Sequence, residues 1–237
     1  TPWKGDRNTT VARATIRGDL NNFITYFIHK LYARIPEGLV QELDRVQACF
    51  ELLPLSQYSF THRDFQLRNI VVNDDVLSVV DFQNALFAPS TYDLASLLFS
   101  SRLALPVASI NDYISYYEDY VAKTYTSHDK NIRYAVFCNA LCRALQILGA
   151  YGKISIQGNR KHFLKSIGTS QRNLQKILTV LKQEFNVSFP VLDSISRDVF
   201  EFPTTLKEIP VELISFSYSG AQMPELHPRH INLVFDA

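Results

Sequence analysis

The chain has 237 residues, 46% of them hydrophobic, which fits one large domain, or one and a half, with a substantial core. Its formal charge is +1, so it lacks the charge excess typical of nucleic-acid binding. The sequence contains no apolar run of about eighteen residues that would span a membrane, and TPWKGDRNTT lacks the apolar core of a signal peptide. We therefore expect a cytoplasmic protein whose cysteines, Cys49, Cys138 and Cys142, are reduced core thiols.

Two amphipathic helices are predicted near the N-terminus. The first has apolar residues at 20, 23, 24, 27, 28 and 31, with Asp19 as its N-cap and Pro36 as its stop. The second repeats the pattern at 39, 43, 46, 50 and 53. These spacings bury one face of each helix.

The next segment is predicted to form strands. YSFTH, NIVVN and VLSVVDF are short, β-branched and aromatic, and Asn73-Asp74-Asp75 supplies a turn between the last two. The pattern predicts a small β-hairpin with polar residues at its ends.

The rest of the chain is predicted to be helical at first. Helices are expected over 91–105, 109–124, 130–149, about 160–168 and 170–185. The tyrosines at 113, 116, 117 and 120 have helical spacing and are predicted to pack in the core. From FPVLDSISRDVF onward the helical period fades, and VELISFSYS and INLVFDA are predicted to be two strands.

Charged and polar residues at the hairpin ends are candidates for chemistry. His62, Asp64 and Asn69 precede the hairpin and Asp81 closes it. A hairpin brings its two ends together, so we expect Asn69 and Asp81 side by side, where their oxygen atoms suit Mg²⁺. Asp64 could then accept a proton from an attacking hydroxyl, as phosphoryl transfer requires. Taken singly, Asp64, Asn69 and Asp81 each have an alternative role in forming turns.

The same residues carry a family resemblance. HRDFQLRN, VVDFQ and PSTYDLASLL resemble, in order and spacing, the aminoglycoside-phosphotransferase-like kinases, which are relatives of the protein kinases. RALQILGAYG and KHFLKSI resemble bacterial sugar-kinase-like members, including those acting on N-acetylated amino sugars. The resemblance covers about residues 18–185. It implies an α+β fold: a protein-kinase-like C-terminal lobe, mostly helical, with a small β-hairpin at the catalytic loop, followed by a partial β segment.

The resemblance also implies roles for individual residues. Asp64 would be the catalytic base, and Asn69 and Asp81 would bind Mg²⁺, with ATP as phosphoryl donor. His62 would brace the loop, and Asp93 would hold it by accepting backbone N–H bonds. Asp93 is also explained by the preference for acidic residues in the first turn of a helix.

The role of Arg68 in this motif has two interpretations. Arg68 either contacts a phosphate or is a surface or loop-bracing arginine, and the sequence does not separate the two.

A second group of candidates lies on the predicted helix 130–149. Tyr134, Phe137, Leu141, Leu145 and Leu148 form one apolar stripe, the expected core face. Asn139, Arg143 and Gln146 lie on another stripe that lacks Lys and Glu. We predict that this second stripe faces the acceptor and binds substrate, and an ordinary polar helix face is the alternative.

The resemblance predicts three regions. Residues 1–188 would be the kinase-like C-lobe, 189–204 a connecting segment, and 205–237 a truncated fragment. That fragment resembles the beginning of the C-terminal domain of RapZ-type RNase adapter proteins, and an extra β-hairpin on the kinase lobe is the alternative. We found no glycine-rich phosphate loop and no strand lysine, so we expect the N-terminal nucleotide lobe to be absent and this chain alone to be inactive.

These observations predict an ATP-dependent kinase for a small-molecule hydroxyl, in particular a sugar or amino sugar. The expected partners are a nucleotide and a small acceptor, without a membrane and without RNA binding by this segment. The alternative is a catalytically dormant kinase fold that senses a metabolite and signals through its RapZ-like part. A third interpretation, antibiotic resistance, predicts an acidic acceptor pocket, for which Asp112, Glu118 and Asp119 are candidates.

Overall fold

The computed structural model describes residues 9–198, except 33, 52, 54–57, 75, 101, 125–130 and 159. The helices are α1 (Thr9–Asn22), α2 (Leu39–Glu51), α3 (Thr91–Leu98), α4 (Val107–Thr124), α5 (Ile132–Gln157), α6 (Leu164–Phe185) and α7 (Pro190–Arg197). A π-helical continuation of α1, here called the π segment, covers Phe23–Tyr32, and single 3₁₀ turns cover Leu67–Asn69 and Lys161–Phe163. The strands are β1 (Tyr58–Thr61), β2 (Ile70–Asn73), β3 (Val76–Val79) and β4 (Leu86–Pro89).

The fold is therefore mixed α and β and mostly helical. The predicted strands VELISFSYS and INLVFDA lie outside the described residues, as does the predicted RapZ-like fragment. Within the part that is described, every helix is too short or too polar to cross a bilayer.

Helix α5 lies at the centre of the helical core. It packs against α6, the π segment, α3 and α1. Leu141, Leu145 and Leu148 are completely buried, and Phe137 nearly so, which confirms the predicted core stripe. Because neighbours surround α5, its second, polar stripe is largely buried as well.

Two glycines let α5 approach the π segment closely. A Cβ atom on Gly149 would lie 2.6 Å from the backbone nitrogen of Phe23, and one on Gly152 would lie 2.9 Å from the carbonyl of Tyr26. Side chains at these positions would push the two helices apart. The contact buries Phe23 and Phe27, whose rings stack with centroids 5.4 Å apart.

The helix boundaries differ from the prediction in several places. α1 starts at Thr9, so Asp19 lies well inside the helix, and its predicted N-cap role is wrong. α3 ends at Leu98 instead of 105, and the helices predicted over 160–168 and 170–185 form one continuous helix, α6.

Helix α7 forms where the helical period was predicted to fade. Pro190 occupies its first turn, where a missing N–H costs nothing. The backbone N–H groups of Val191 and Leu192 donate to the carboxylate of Glu42 on α2, both at 2.9 Å. A carboxylate at this end of the helix also interacts favourably with the helix dipole. A contact from a distant part of the chain therefore stabilises this short helix.

The strands form two antiparallel pairs. The predicted hairpin is confirmed: β2 pairs with β3, with Ile70 opposite Val79, and Asp74 in the turn has a left-handed φ of 46°. β1 pairs with β4, a strand that the sequence analysis did not predict. This second pair directs the loop after β1 toward the start of α3.

The tyrosines of α4 are placed differently from the prediction. Tyr113, Tyr116 and Tyr120 are largely exposed, so their predicted core packing is wrong, whereas Tyr117 packs against the core. Helical spacing places these residues on one side of the helix without specifying whether that side faces the core.

Candidate active site

Two residues of the candidate site have unusual backbone conformations, one in the loop between β1 and β2 and one at the end of the hairpin. Arg63 has a φ of 68°, and Asp81, just after β3, has a φ of 71°. Left-handed conformations are uncommon for residues other than glycine and cluster at functional sites. Contacts from elsewhere in the fold hold this loop in place.

Asp93 provides one of those contacts. It lies in the first turn of α3 and accepts the backbone N–H of His62 at 2.7 Å and of Arg63 at 2.9 Å. This is the contact that the family resemblance implies for Asp93. Burial raises the pKa of the Asp93 carboxyl, although the two N–H groups oppose the rise. Its position in the first turn of α3 also suits the helix dipole.

The side chain of His62 links the loop to the hairpin. Its Nδ1 accepts the backbone N–H of Asp64 at 3.3 Å, which leaves the proton on Nε2. Nε2 then donates to the carbonyl oxygen of Val80 at 2.9 Å. The two bonds of this buried ring connect the backbone of Asp64 with the residue before Asp81.

An ion pair ties the loop to the first helix. The guanidinium of Arg63 donates to the carboxylate of Asp19 at 2.6 Å, and both side chains are mostly buried. Burial raises the pKa of Asp19, and Arg63 opposes that rise. The sequence pattern does not predict this pair, because an aspartate before an apolar run has the pattern of a helix cap.

Asp64 lies at the centre of a cluster of hydrogen-bond donors. Its Oδ1 accepts from Arg143 Nη2 and Gln66 Nε2, each at 2.6 Å. Its Oδ2 accepts from Arg68 Nη2 at 2.7 Å and Asn69 Nδ2 at 3.2 Å. Burial raises the pKa of the Asp64 carboxyl, but the guanidinium groups of Arg143 and Arg68 outweigh burial and hold the pKa below its usual value. The carboxylate is thus ionised and partly accessible.

Asn69 and Asp81 lie at the two ends of the hairpin. The N–H of Val80 donates to the carbonyl oxygen of Asn69 at 2.9 Å, and Asp81 follows directly in the chain. Asn69 Nδ2 donates to the backbone and side chain of Asp64, so its Oδ1 is the atom left for a ligand. The described residues contain no group of three or more His, Cys, Asp or Glu that could hold a metal. Amide and carboxylate oxygens, such as those of Asn69 and Asp81, are of the ligand type that suits Mg²⁺ when its other ligands come from phosphate and water.

The polar stripe of α5 is divided between two places. Arg143 reaches Asp64, and Gln146 accepts a hydrogen bond from Arg143 Nη1. Asn139 is completely buried and donates to Thr91 Oγ1 at 2.7 Å, at the start of α3. Substrate binding by these residues stays a prediction, and the contacts seen for Asn139 serve helix packing.

The hairpin and the residues that flank it expose many apolar side chains beside the candidate metal site. The exposed set is Leu67, Val71, Val72, Val76, Leu77, Val79, Val80 and Phe82. An exposed apolar patch of this kind is typical of a binding surface.

Two similarities to known proteins bear on this site. Residues 15–128, which include the loop, the hairpin and α3, match the phosphotransferase enzyme family called APH. An 89-residue stretch is 37% identical to the N-acetylmuramate/N-acetylglucosamine kinase of Neisseria meningitidis serogroup B. That alignment covers 36% of this chain and 26% of the relative, so the chain spans about a quarter of the relative's length.

Proposed function

We propose that the protein is a kinase that transfers the γ-phosphoryl group of ATP to a hydroxyl of a sugar or amino sugar. The observation that carries this proposal is the ionised, partly accessible Asp64 on a braced loop beside Asn69 and Asp81. Similarity of residues 15–128 to the phosphotransferase family supports the reaction class. The printed name of the Neisseria relative supports an amino-sugar acceptor.

In the proposed reaction, Asp64 orients the acceptor hydroxyl and accepts its proton. The hydroxyl oxygen bonds to the γ-phosphorus, the bond from that phosphorus to ADP breaks, and the proton later leaves Asp64 for solvent. Asn69 Oδ1 and the Asp81 carboxylate would hold Mg²⁺, which neutralises phosphate charge when bound. His62 and Asp93 keep the loop in position for this step.

The charges around Asp64 favour a neutral or acidic acceptor over a polycationic one. Two guanidinium groups contact its carboxylate directly, so a cationic acceptor would meet repulsion there. Of the acidic residues considered for an antibiotic-binding pocket, Asp112 and Asp119 are exposed on α4 and Glu118 is half-buried. An aminoglycoside is therefore the less favoured acceptor class.

The exposed hairpin supports nucleotide binding next to the metal ligands. The flat faces of nucleobases pack favourably on apolar side chains, and the side chains of Val72 and Leu77 are exposed in the hairpin. We expect weak nucleotide binding by this chain alone, because its sequence has no recognisable glycine-rich phosphate loop or strand lysine. The complete gene product is the form to assay.

The test is ADP release by the complete gene product with Mg²⁺-ATP and a panel of acceptors. The panel contains sugars, N-acetylated amino sugars, aminoglycosides and choline, and Asp64→Asn is the matched control. We expect turnover with a sugar or amino sugar and its collapse in the control. Mg²⁺-ATP binding without turnover for any acceptor would refute the proposal and favour the dormant, metabolite-sensing alternative.

A further inference from the structure

Asp64 has two arginine partners that differ in exposure and in origin. Arg143 comes from α5, and its side chain is 8% exposed, whereas Arg68 lies four residues from Asp64 and its side chain is 50% exposed. Both guanidinium groups contact the carboxylate at nearly the same distance, 2.6 and 2.7 Å. The two contacts are therefore similar in geometry but differ in how easily each can be broken.

The carboxylate has no free acceptor position in this arrangement. Each of its oxygens accepts from two donors, which uses the roughly four lone-pair positions of a carboxylate. An acceptor hydroxyl that donates to Asp64 must therefore displace one existing donor. The donor that is most easily displaced from the Asp64 carboxylate determines where the hydroxyl binds.

We propose that the acceptor hydroxyl displaces Arg68 from Oδ2 of Asp64, while Arg143 stays on Oδ1 and acts as the positioning residue for the carboxylate. This inference rests on the proposed function. The hydroxyl then donates to Oδ2, which receives its proton as the hydroxyl oxygen bonds to the γ-phosphorus of ATP and the bond to ADP breaks.

Both terminal nitrogens of the Arg143 guanidinium donate hydrogen bonds. Gln146 accepts from its Nη1 and Asp64 accepts from its Nη2. Its Nε is buried, and within the described part of the chain no group accepts a hydrogen bond from it. Separating Arg143 from Asp64 would leave a buried guanidinium without the carboxylate that it contacts directly, which is strongly unfavourable.

Arg68 is held much less firmly. An ion pair with an exposed arginine at this spacing contributes little net stability, because water solvates the Arg68 guanidinium once the pair separates and Asp64 keeps Arg143 as its partner. The displaced guanidinium would remain beside the reacting groups and could pair with phosphoryl oxygens. This gives Arg68 the phosphate contact that the sequence suggested, but only after the acceptor has bound.

Steady-state kinetics of the complete gene product test the two roles. We expect Arg143→Ala to lower kcat about 100-fold with little change in acceptor KM, because the carboxylate loses its orientation. Added guanidinium ion should restore part of that kcat, and should not restore Asp64→Asn. Arg143→Lys should recover only part of the activity, since an ammonium lacks the planar fork.

We expect Arg68→Ala to lower the acceptor KM, because the hydroxyl no longer competes with a cation. Any accompanying loss of kcat should come with a higher KM for ATP. An increased acceptor KM in Arg143→Ala with unchanged kcat would overturn the inference, because it would make Arg143 a direct substrate contact.

A second test is independent of turnover. Double-mutant cycles in urea unfolding compare Asp64→Asn combined with Arg143→Ala against Asp64→Asn combined with Arg68→Ala. We expect a clear coupling for the Arg143 pair and a much smaller one for the Arg68 pair. Equal coupling for both pairs would refute the inference.

The two proposals fail in different ways. If Asp64→Asn retains wild-type turnover, or no acceptor is phosphorylated, the proposed function fails. If wild type is active and Asp64→Asn is not, yet Arg143→Ala matches wild type, only the inference fails.

Discussion

Gly149→Ala and Gly18→Ala are the same substitution in two helices, and we expect them to change stability in opposite directions. At Gly149 the new Cβ would lie 2.6 Å from the nitrogen of Phe23 and 2.9 Å from its Cα, both backbone atoms. At Gly18, exposed in α1, nothing lies within 4 Å of the new atom.

The magnitudes follow from packing and helix propensity. Overpacking of a tight contact costs about 1–3 kcal/mol, and a clash between backbone atoms should approach the upper value. Alanine is favoured over glycine inside a helix by about 1 kcal/mol, which offsets part of that cost at Gly149. Gly18→Ala has only the favourable contribution, about 0.5–1 kcal/mol.

Thermal unfolding measures the difference. A change of 1 kcal/mol shifts the Tm of a chain of this size by about 2–4 °C. We therefore expect Gly149→Ala to lower the Tm by several degrees and Gly18→Ala to raise it slightly. If Gly149→Ala unfolds at or above the temperature of Gly18→Ala, the close approach of α5 to the π segment is incorrect.

Three further predictions concern the site and the helical core. Asp93→Asn should lower kcat about 100-fold, because the backbone N–H groups of His62 and Arg63 donate to different oxygens of Asp93 and the amide replaces one of those acceptors with an NH2 donor. Asp112→Asn on exposed α4 is the control, and equal kcat values would contradict the bracing role. Asp81→Asn should raise the Mg²⁺ concentration needed for half-maximal ADP release by about tenfold or more, since an amide is a weaker ligand than a carboxylate; an unchanged Mg²⁺ requirement would exclude Asp81 as a ligand. The hydrogen bonds from Arg133 hold the pKa of Glu184 below its ordinary value of 4.5, so the pair stabilises the fold above that pH. The stability difference between wild type and Glu184→Gln, about 0.2–1 kcal/mol for an exposed pair, should shrink in urea unfolding as pH falls below this value, and a difference that does not vary with pH would refute the linkage.

Local patterns predicted the elements that depend on near neighbours. Alternation of β-branched residues around a turn was enough to predict the hairpin, and the helical period was enough to predict the buried stripe of α5. Elements that depend on distant partners were missed. β4 forms by pairing with β1, and α7 is capped by Glu42 from α2.

Polar residues show the same limit. The pattern around Asp19 is that of an N-cap, yet its actual partner is Arg63 in the loop after β1. The tyrosines of α4 have regular spacing, yet three of them face solvent. Spacing defines a helix face, but the neighbouring elements decide whether that face is buried.

The sequence by itself determined that Asn69 and Asp81 lie near each other, since a hairpin must bring its own ends together. Only the tertiary structure decided which groups surround Asp64. Arg143 lies 79 residues further along the chain and reaches Asp64 because α5 packs through the centre of the fold. Periodicity places a residue on a helix face, whereas the charges that meet across that face depend on how the helices pack.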